Sequence, residues 1–169
     1  MSRKTREEAL TALILQEKEH FYRLAYSYVK NQQDALDVVQ DSIHKALRSV
    51  HRLDDASNMR NWYIRIVINT AIDRLRKQKR ELLLDQSMLE GVMPSSQDSY
   101  ANIDLQQVLH KLSAKYRIVI ILKYFEDLTL RDIAEVLGIS ENTVKTRLYR
   151  ALDLLRGMMK ETTYTGGHS

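Results

Sequence analysis

The sequence predicts an all-α chain of two small helical domains joined by a flexible linker, and three observations carry that prediction. One proline and five glycines in 169 residues suit long helices better than a turn-rich sheet. Apolar residues recur every three or four positions, and no segment sustains the two-residue alternation of a strand. Charge is segregated along the chain. Residues 1–80 hold 16 Lys/Arg against 10 Asp/Glu, residues 81–105 hold five acids and no base, and residues 106–169 hold ten bases against seven acids. Two basic blocks flanking an acidic strip point to two units that bind a polyanion, and to a connector that the same polyanion repels.

The first basic block reads as three helices. From about Arg6 to Val29, Leu10, Leu13, Ile14, Phe21, Leu24, Ala25 and Tyr28 follow helical spacing. Asn31-Gln32-Gln33-Asp34 interrupts that pattern and supplies an N-cap for a second helix reaching about His51. Its predicted inner face is Leu36, Val39, Ile43, Ala46, Leu47 and Val50, and its polar face carries Asp37, Gln40, Asp41, His44 and Arg48. After a polar loop, Arg52–Asn58, a third helix is expected from about Met59 to Lys79. Its apolar face is Ile64, Val67, Ile68, Ala71 and Leu75; the other carries Trp62, Arg65, Asn69, Asp73 and Arg76, with Lys77, Lys79 and Arg80 following. A tryptophan among arginines and an asparagine suits stacking on unpaired bases in a cationic groove. The bland alternative is a ring that only anchors the loop to the helix.

Residues 81–102 hold the single proline, Pro94, beside Ser95-Ser96, and read as a mostly irregular linker in which Glu81–Leu89 could extend the preceding helix or form a short one. A structureless stretch of this length inside one compact domain would be unusual, which favours two domains. The second block reads as four helices, about Ile103–Leu112, Ala114–Phe125, Leu130–Leu137 and Glu141–Lys160, and residues 161–169 read as a disordered tail. Its strongest motif is LRDIAEVLGISENTVKTRLYRAL, residues 130–152. Leu130, Ile133, Ala134 and Leu137 form one buried stripe, Gly138 ends the helix in a left-handed position, and Ser140 caps the next. In that next helix Val144, Leu148, Ala151 and Leu155 fall within about 60° of one another. Asn142, Lys145, Thr146 and Tyr149 lie opposite, with Arg147 and Arg150 flanking. One amphipathic helix with such a face is commonly just solvated. A short helix, a Gly-Ile-Ser corner and a basic second helix together read as a helix-turn-helix whose outer face contacts base edges and phosphates of a major groove.

DALDVVQDSIHKAL, NWYIRIVINTAIDRLRKQKR and YRIVIILKYFEDLTLRDIAEVLGISENTVKTRLYRAL occur here in that order. Together they resemble the extracytoplasmic-function group of bacterial sigma factors, over about residues 6–160. The resemblance implies a three-helix second-region domain at 1–80 and a linker at 81–102. It further implies a four-helix fourth-region domain with the helix-turn-helix at 103–160. The function implied is promoter-specific initiation by RNA polymerase, with a role in stress response. By the same resemblance, Asn142, Thr143, Lys145, Thr146, Arg147, Tyr149 and Arg150 read the −35 element. Ser57, Trp62, Arg65, Asn69, Arg76 and Lys77 open the −10 element and hold a flipped base, Asn69 standing in the INT triplet Ile68–Thr70 where relatives have VNT. Asp37, Gln40 and Asp41 dock on the clamp helices of the polymerase's largest subunit. The flap of the second-largest subunit, promoter DNA and an anti-sigma protein, often membrane-bound in relatives, complete the implied partners. The Arg52–Trp62 loop lacks the glycine common before its serine in relatives.

An enzyme is not expected. The chain has no cysteine, hence no disulfide, thiolate metal site or cysteine nucleophile, and it carries no Gly-rich phosphate loop. His20, His44, His51, His110 and His168 lack HExxH-type spacing. No cofactor, metal or small-molecule substrate is expected. No apolar run approaches about 18 residues, and the N-terminus has no apolar signal core, so a cytoplasmic protein is expected. The competing function is a one-component helix-turn-helix regulator that binds duplex DNA without polymerase. That reading calls for a ligand-binding or receiver domain upstream, which a basic, Trp-bearing helical block does not resemble.

Overall fold

The structure, a computed structural model, describes residues 2–84 and 103–165. These are helical, and they fall into two compact units. The first unit holds α1 (Arg3–Gln16), α2 (Lys18–Val29), α3 (Gln32–Ser49) and α4 (Met59–Leu84). The second holds α5 (Ile103–Lys111), α6 (Ala114–Ile120) running into a π turn (Ile121–Phe125), α7 (Leu130–Leu137) and α8 (Glu141–Thr165). Most of the expected 81–102 linker lies outside the described residues, although its first four continue α4 to Leu84.

In the first unit the single helix expected over 6–29 is corrected to two, α1 and α2, divided at Glu17 (φ −114°, ψ 23°). No proline or glycine marks this bend. Arg60 Nε of α4 reaches both Glu17 carboxylate oxygens, at 2.9 and 3.1 Å, so the bend is fixed by a partner 43 residues away. Ser2 caps α1 by accepting the Thr5 N–H, and Asn31 caps α3 by accepting the Asp34 N–H. The buried face of α3 also differs from expectation. Ala35, Val38, Ser42 and Ala46 are its core positions, whereas Leu36 is 47% exposed and Val39, Ile43 and Leu47 are half-buried. α3 packs on both α2 and α4, and its buried positions carry mostly small side chains. The Ser42 hydroxyl is satisfied by the Val38 carbonyl at 2.6 Å. Against them α4 buries Met59, Tyr63, Ile64, Val67, Ile68, Thr70 and Ala71. Tyr63 meets Phe21 edge-on, with ring centroids 4.6 Å apart, a geometry worth about 1 kcal/mol beyond area burial.

In the second unit Ile118, Val119, Ile120, Leu122, Ile133, Ala134, Val136, Val144, Leu148, Ala151 and Leu155 form the core. Buried Arg117 donates from Nη1 to the Leu112 carbonyl, joining α6 to the end of α5. The helix expected over 114–125 opens into the π turn after Ile120, where the Glu126 N–H bonds the Ile121 carbonyl five residues back. That wider turn leaves Tyr124 and Phe125 exposed. α8 runs to Thr165, past the expected end at Lys160 and into the segment expected to be disordered; residues 166–169 lie outside the described residues.

Candidate nucleic-acid interface

The helix-turn-helix is assembled from local signals. The Thr129 hydroxyl accepts the Asp132 N–H and starts α7. Gly138 closes α7 in the left-handed region (φ 67°), donating its N–H to the Ala134 carbonyl, where a β-carbon would strain the backbone. The Ser140 hydroxyl then accepts the Thr143 N–H at 3.1 Å and starts α8. With Val144, Leu148, Ala151 and Leu155 buried, the opposite face of α8 is solvent-facing. Asn142, Lys145, Thr146, Tyr149 and Arg150 are exposed there, Tyr149 at 69%, and Arg147 is half-buried. Thr143 does not share that freedom: its hydroxyl lies 2.8 Å from the Ser140 hydroxyl, within the cap. Thr146 donates to the Asn142 carbonyl, leaving its lone pairs and methyl outward. Among the described residues Lys145, Arg147 and Arg150 have no carboxylate partner, so their charge is not neutralised within the fold.

The other basic face lies on α4. Arg65, Asn69, Arg76 and Lys77 are exposed and Trp62 is half-buried. The spacing of Trp62, Arg65, Asn69, Asp73 and Arg76 puts them on one side of the helix. The neighbouring side is fastened to α3. Arg74 donates to Asp34 (3.1 and 2.8 Å) and to Asp37 (3.0 Å), and Gln78 donates to Asp34 (2.8 Å). The Asp34 hydrogen bonds raise the Arg74 guanidinium above its already high ordinary range, partly opposed by burial. Arg74 is thus a permanent cation that sequence reasoning missed, because its partners lie 37 and 40 residues away.

Of the three residues expected to dock on polymerase, Asp37 is engaged at both carboxylate oxygens, by Arg74 and Gln33. Gln40 and Asp41 are exposed. Ser57 sits in the loop before α4, where Asp55 accepts both its N–H and its O–H. Asp55 stands with Ser57 in the pocket loop that the resemblance points to, but its hold on Ser57 was not read from the sequence, though an Asp two residues before a Ser is the spacing of an Asx turn. Among the described residues no group of three or more His, Cys, Asp or Glu side chains is arranged to hold a metal, and no helix is long and apolar enough to cross a membrane.

Residues 13–81 match the family model described as Sigma-70 region 2, and residues 102–155 match that described as Sigma-70, region 4. The chain is similar to RNA polymerase sigma factor SigV of Bacillus subtilis (strain 168), 47% identical over 154 residues spanning 91% of this chain and 93% of the relative. It is also similar to ECF RNA polymerase sigma factor SigW of the same organism, 34% identical over 161 residues and 85% of each chain. Among solved structures it is similar to the sigma factor RpoE in complex with the anti-sigma factor NepR from Bartonella quintana. That likeness has a TM-score of 0.76 and 26% identity, and covers 89% of this chain and 96% of that one.

Proposed function

The chain belongs to the sigma-70 family of RNA polymerase sigma factors, in its extracytoplasmic-function group, and we propose that its two basic faces divide promoter recognition between them. It directs promoter-specific initiation with core polymerase. In this reading, residues 103–160 hold the −35 element and residues 1–80 engage and open the −10 element. One observation carries the division: each face lies opposite the buried stripe of a core-forming helix, so its polar groups can meet nucleic acid without disturbing the fold.

On α8, Lys145, Arg147 and Arg150 supply affinity through phosphates, while Asn142, Thr146 and Tyr149 bias the sequence read. Thr143 serves the cap more than the groove. On α4, Trp62 offers a ring for stacking and Asn69 an amide that both donates and accepts, beside the cations Arg65, Arg76 and Lys77. Gln40 and Asp41 dock on the clamp helices of the largest polymerase subunit, with exposed Leu36 one turn away, while Asp37 holds Arg74 and shapes that surface from behind. The second-largest subunit's flap is the other polymerase contact. An anti-sigma protein restrains the free chain, a reading supported by the RpoE neighbour, which was solved with one.

Run-off transcription with core polymerase over a promoter library tests the function. Added chain should yield transcripts from a defined subset of promoters. Duplex binding without polymerase-dependent transcripts would instead identify a one-component regulator.

A further inference from the structure

The loop between α3 and α4 contains a hydroxyl whose polarity is already set. Asp55 Oδ1 accepts the Ser57 N–H at 2.9 Å and the Ser57 O–H at 2.8 Å. An O–H donated to a carboxylate is charge-assisted, and stronger than a bond between neutral partners. A serine hydroxyl has one proton, so Ser57 has none left to donate outward. What it presents to solvent, where both residues are exposed, is a pair of acceptor lone pairs. The Ser57 hydroxyl, followed by its N–H, holds the Asp55 carboxyl below the usual carboxylate range. Asp55 therefore stays ionised at neutral pH and keeps the Ser57 proton occupied.

We infer that Asp55 is a positioning residue for promoter reading: it fixes Ser57 as a hydrogen-bond acceptor, which selects an unpaired base by an amino group at purine C6 or pyrimidine C4. Adenine N6 and cytosine N4 donate at that position, whereas guanine O6 and thymine O4 accept. Two acceptors face to face leave both unsatisfied, so guanine and thymine are disfavoured there. The inference rests on the reading that the loop faces the unpaired −10 strand.

The test uses holoenzyme assembled with the full chain. Forked promoters whose −10 bases are already unpaired are varied through all four bases at each position, and their binding is measured by competition. Wild type should prefer adenine or cytosine at one position by on the order of tenfold, the scale of one unsatisfied polar group. Ser57→Ala should abolish that preference. Asp55→Ala should relax it at the same position, because the freed hydroxyl can donate or accept. Asp55→Asn should restore most of it, because the amide oxygen still accepts from Ser57. A preference lost in Ser57→Ala but intact in Asp55→Ala would overturn the positioning role while leaving the loop at the DNA. Loss in Asp55→Ala with Ser57→Ala unaffected would overturn it too, making the second Asp55 oxygen the reader. If neither variant shifts any position while transcription stays promoter-specific, the loop does not face the −10 strand.

Discussion

Helix α4 is held at its flank by charges contributed from 37 to 44 residues away, whereas α8 is held by its own N-cap and an apolar stripe. In the first unit, side chains reach across to other elements: Arg74 to the Asp34 and Asp37 carboxylates, Arg60 to that of Glu17, and Arg6 to the His51 main-chain carbonyl. In the helix-turn-helix, the polar contacts that set the backbone span three to five residues, through Thr129, Gly138, Ser140 and the Ile139 N–H. The contrast matches two tasks. A helix that presses into a regular duplex groove needs only a fixed axis and a clean outer face. Under the proposed division, a helix that works on unpaired bases next to a polymerase contact would need its flank immobilised, and the α3–α4 clasp is suited to that.

The comparison breaks first at the cores. Ile133→Ala should destabilise the second unit by about 3 kcal/mol, since Ile133 is fully buried between α7 and its neighbours. The loss should be insensitive to salt. Trp62 is the single tryptophan, so its fluorescence reports the first unit alone. Urea titrations should show the circular-dichroism midpoint falling in Ile133→Ala while the fluorescence midpoint stays. Next is the clasp. Arg74→Ala leaves the Asp34 and Asp37 carboxylates of α3 without their shared cation, at a contact where the Arg74 side chain is 30% and that of Asp34 14% exposed. A loss of about 2 kcal/mol is expected for a hydrogen-bonded charge in such a site. Here the fluorescence midpoint moves, and the effect shrinks as salt screens the partly exposed pair.

The smallest effect has the opposite sign. The Tyr63 hydroxyl is buried and finds no hydrogen-bond partner among the described residues, so Tyr63→Phe should stabilise the first unit by up to about 1 kcal/mol. Burial pushes the Tyr63 phenol far above its ordinary value of 10.0. With the folded-state pKa raised, this contribution to stability is fully present below pH 10 and is lost at higher pH, as the unfolded phenol ionises first. Tyr63→Phe should therefore flatten the alkaline limb of the stability profile. An unchanged limb would assign the alkaline loss to other groups.

These contrasts also decide what the sequence could reveal. α7, the Gly138 corner and the start of α8 were legible to within a residue because each signal sits beside the backbone it governs. The apolar face of α4 was legible for the same reason. The bend at Glu17 was not, since its cause is Arg60 on another helix. Hydrophobicity favoured Leu36 for the α3 core, but close packing chose Ala35, Val38 and Ser42, which periodicity alone does not rank. The widened turn at Ile121–Phe125 carries no composition mark. For the candidate sites, exposure of Asn69, Arg65, Lys145 and Arg150 followed from helical periodicity. The engagement of Asp37 by Arg74 and of Thr143 by the α8 cap depended on side-chain geometry that spacing leaves open, whereas the Asp55–Ser57 turn had a local spacing that went unread.

The division of labour itself is tested most directly by comparing Asn69→Ala with Lys145→Ala, both in holoenzyme, on a duplex promoter and on one whose −10 bases are already unpaired. Binding is followed as a function of salt and opening by the rate of open-complex formation. Lys145→Ala should lower the salt slope of binding by about one unit and leave the opening rate of bound complexes unchanged. Asn69→Ala should keep the salt slope and slow opening on the duplex. Recovery on the unpaired promoter would make Asn69 a melting residue, and a persistent deficit with weakened −10 preference would make it a reader of the flipped base. Equal effects of the two substitutions on salt slope and opening rate would contradict the division.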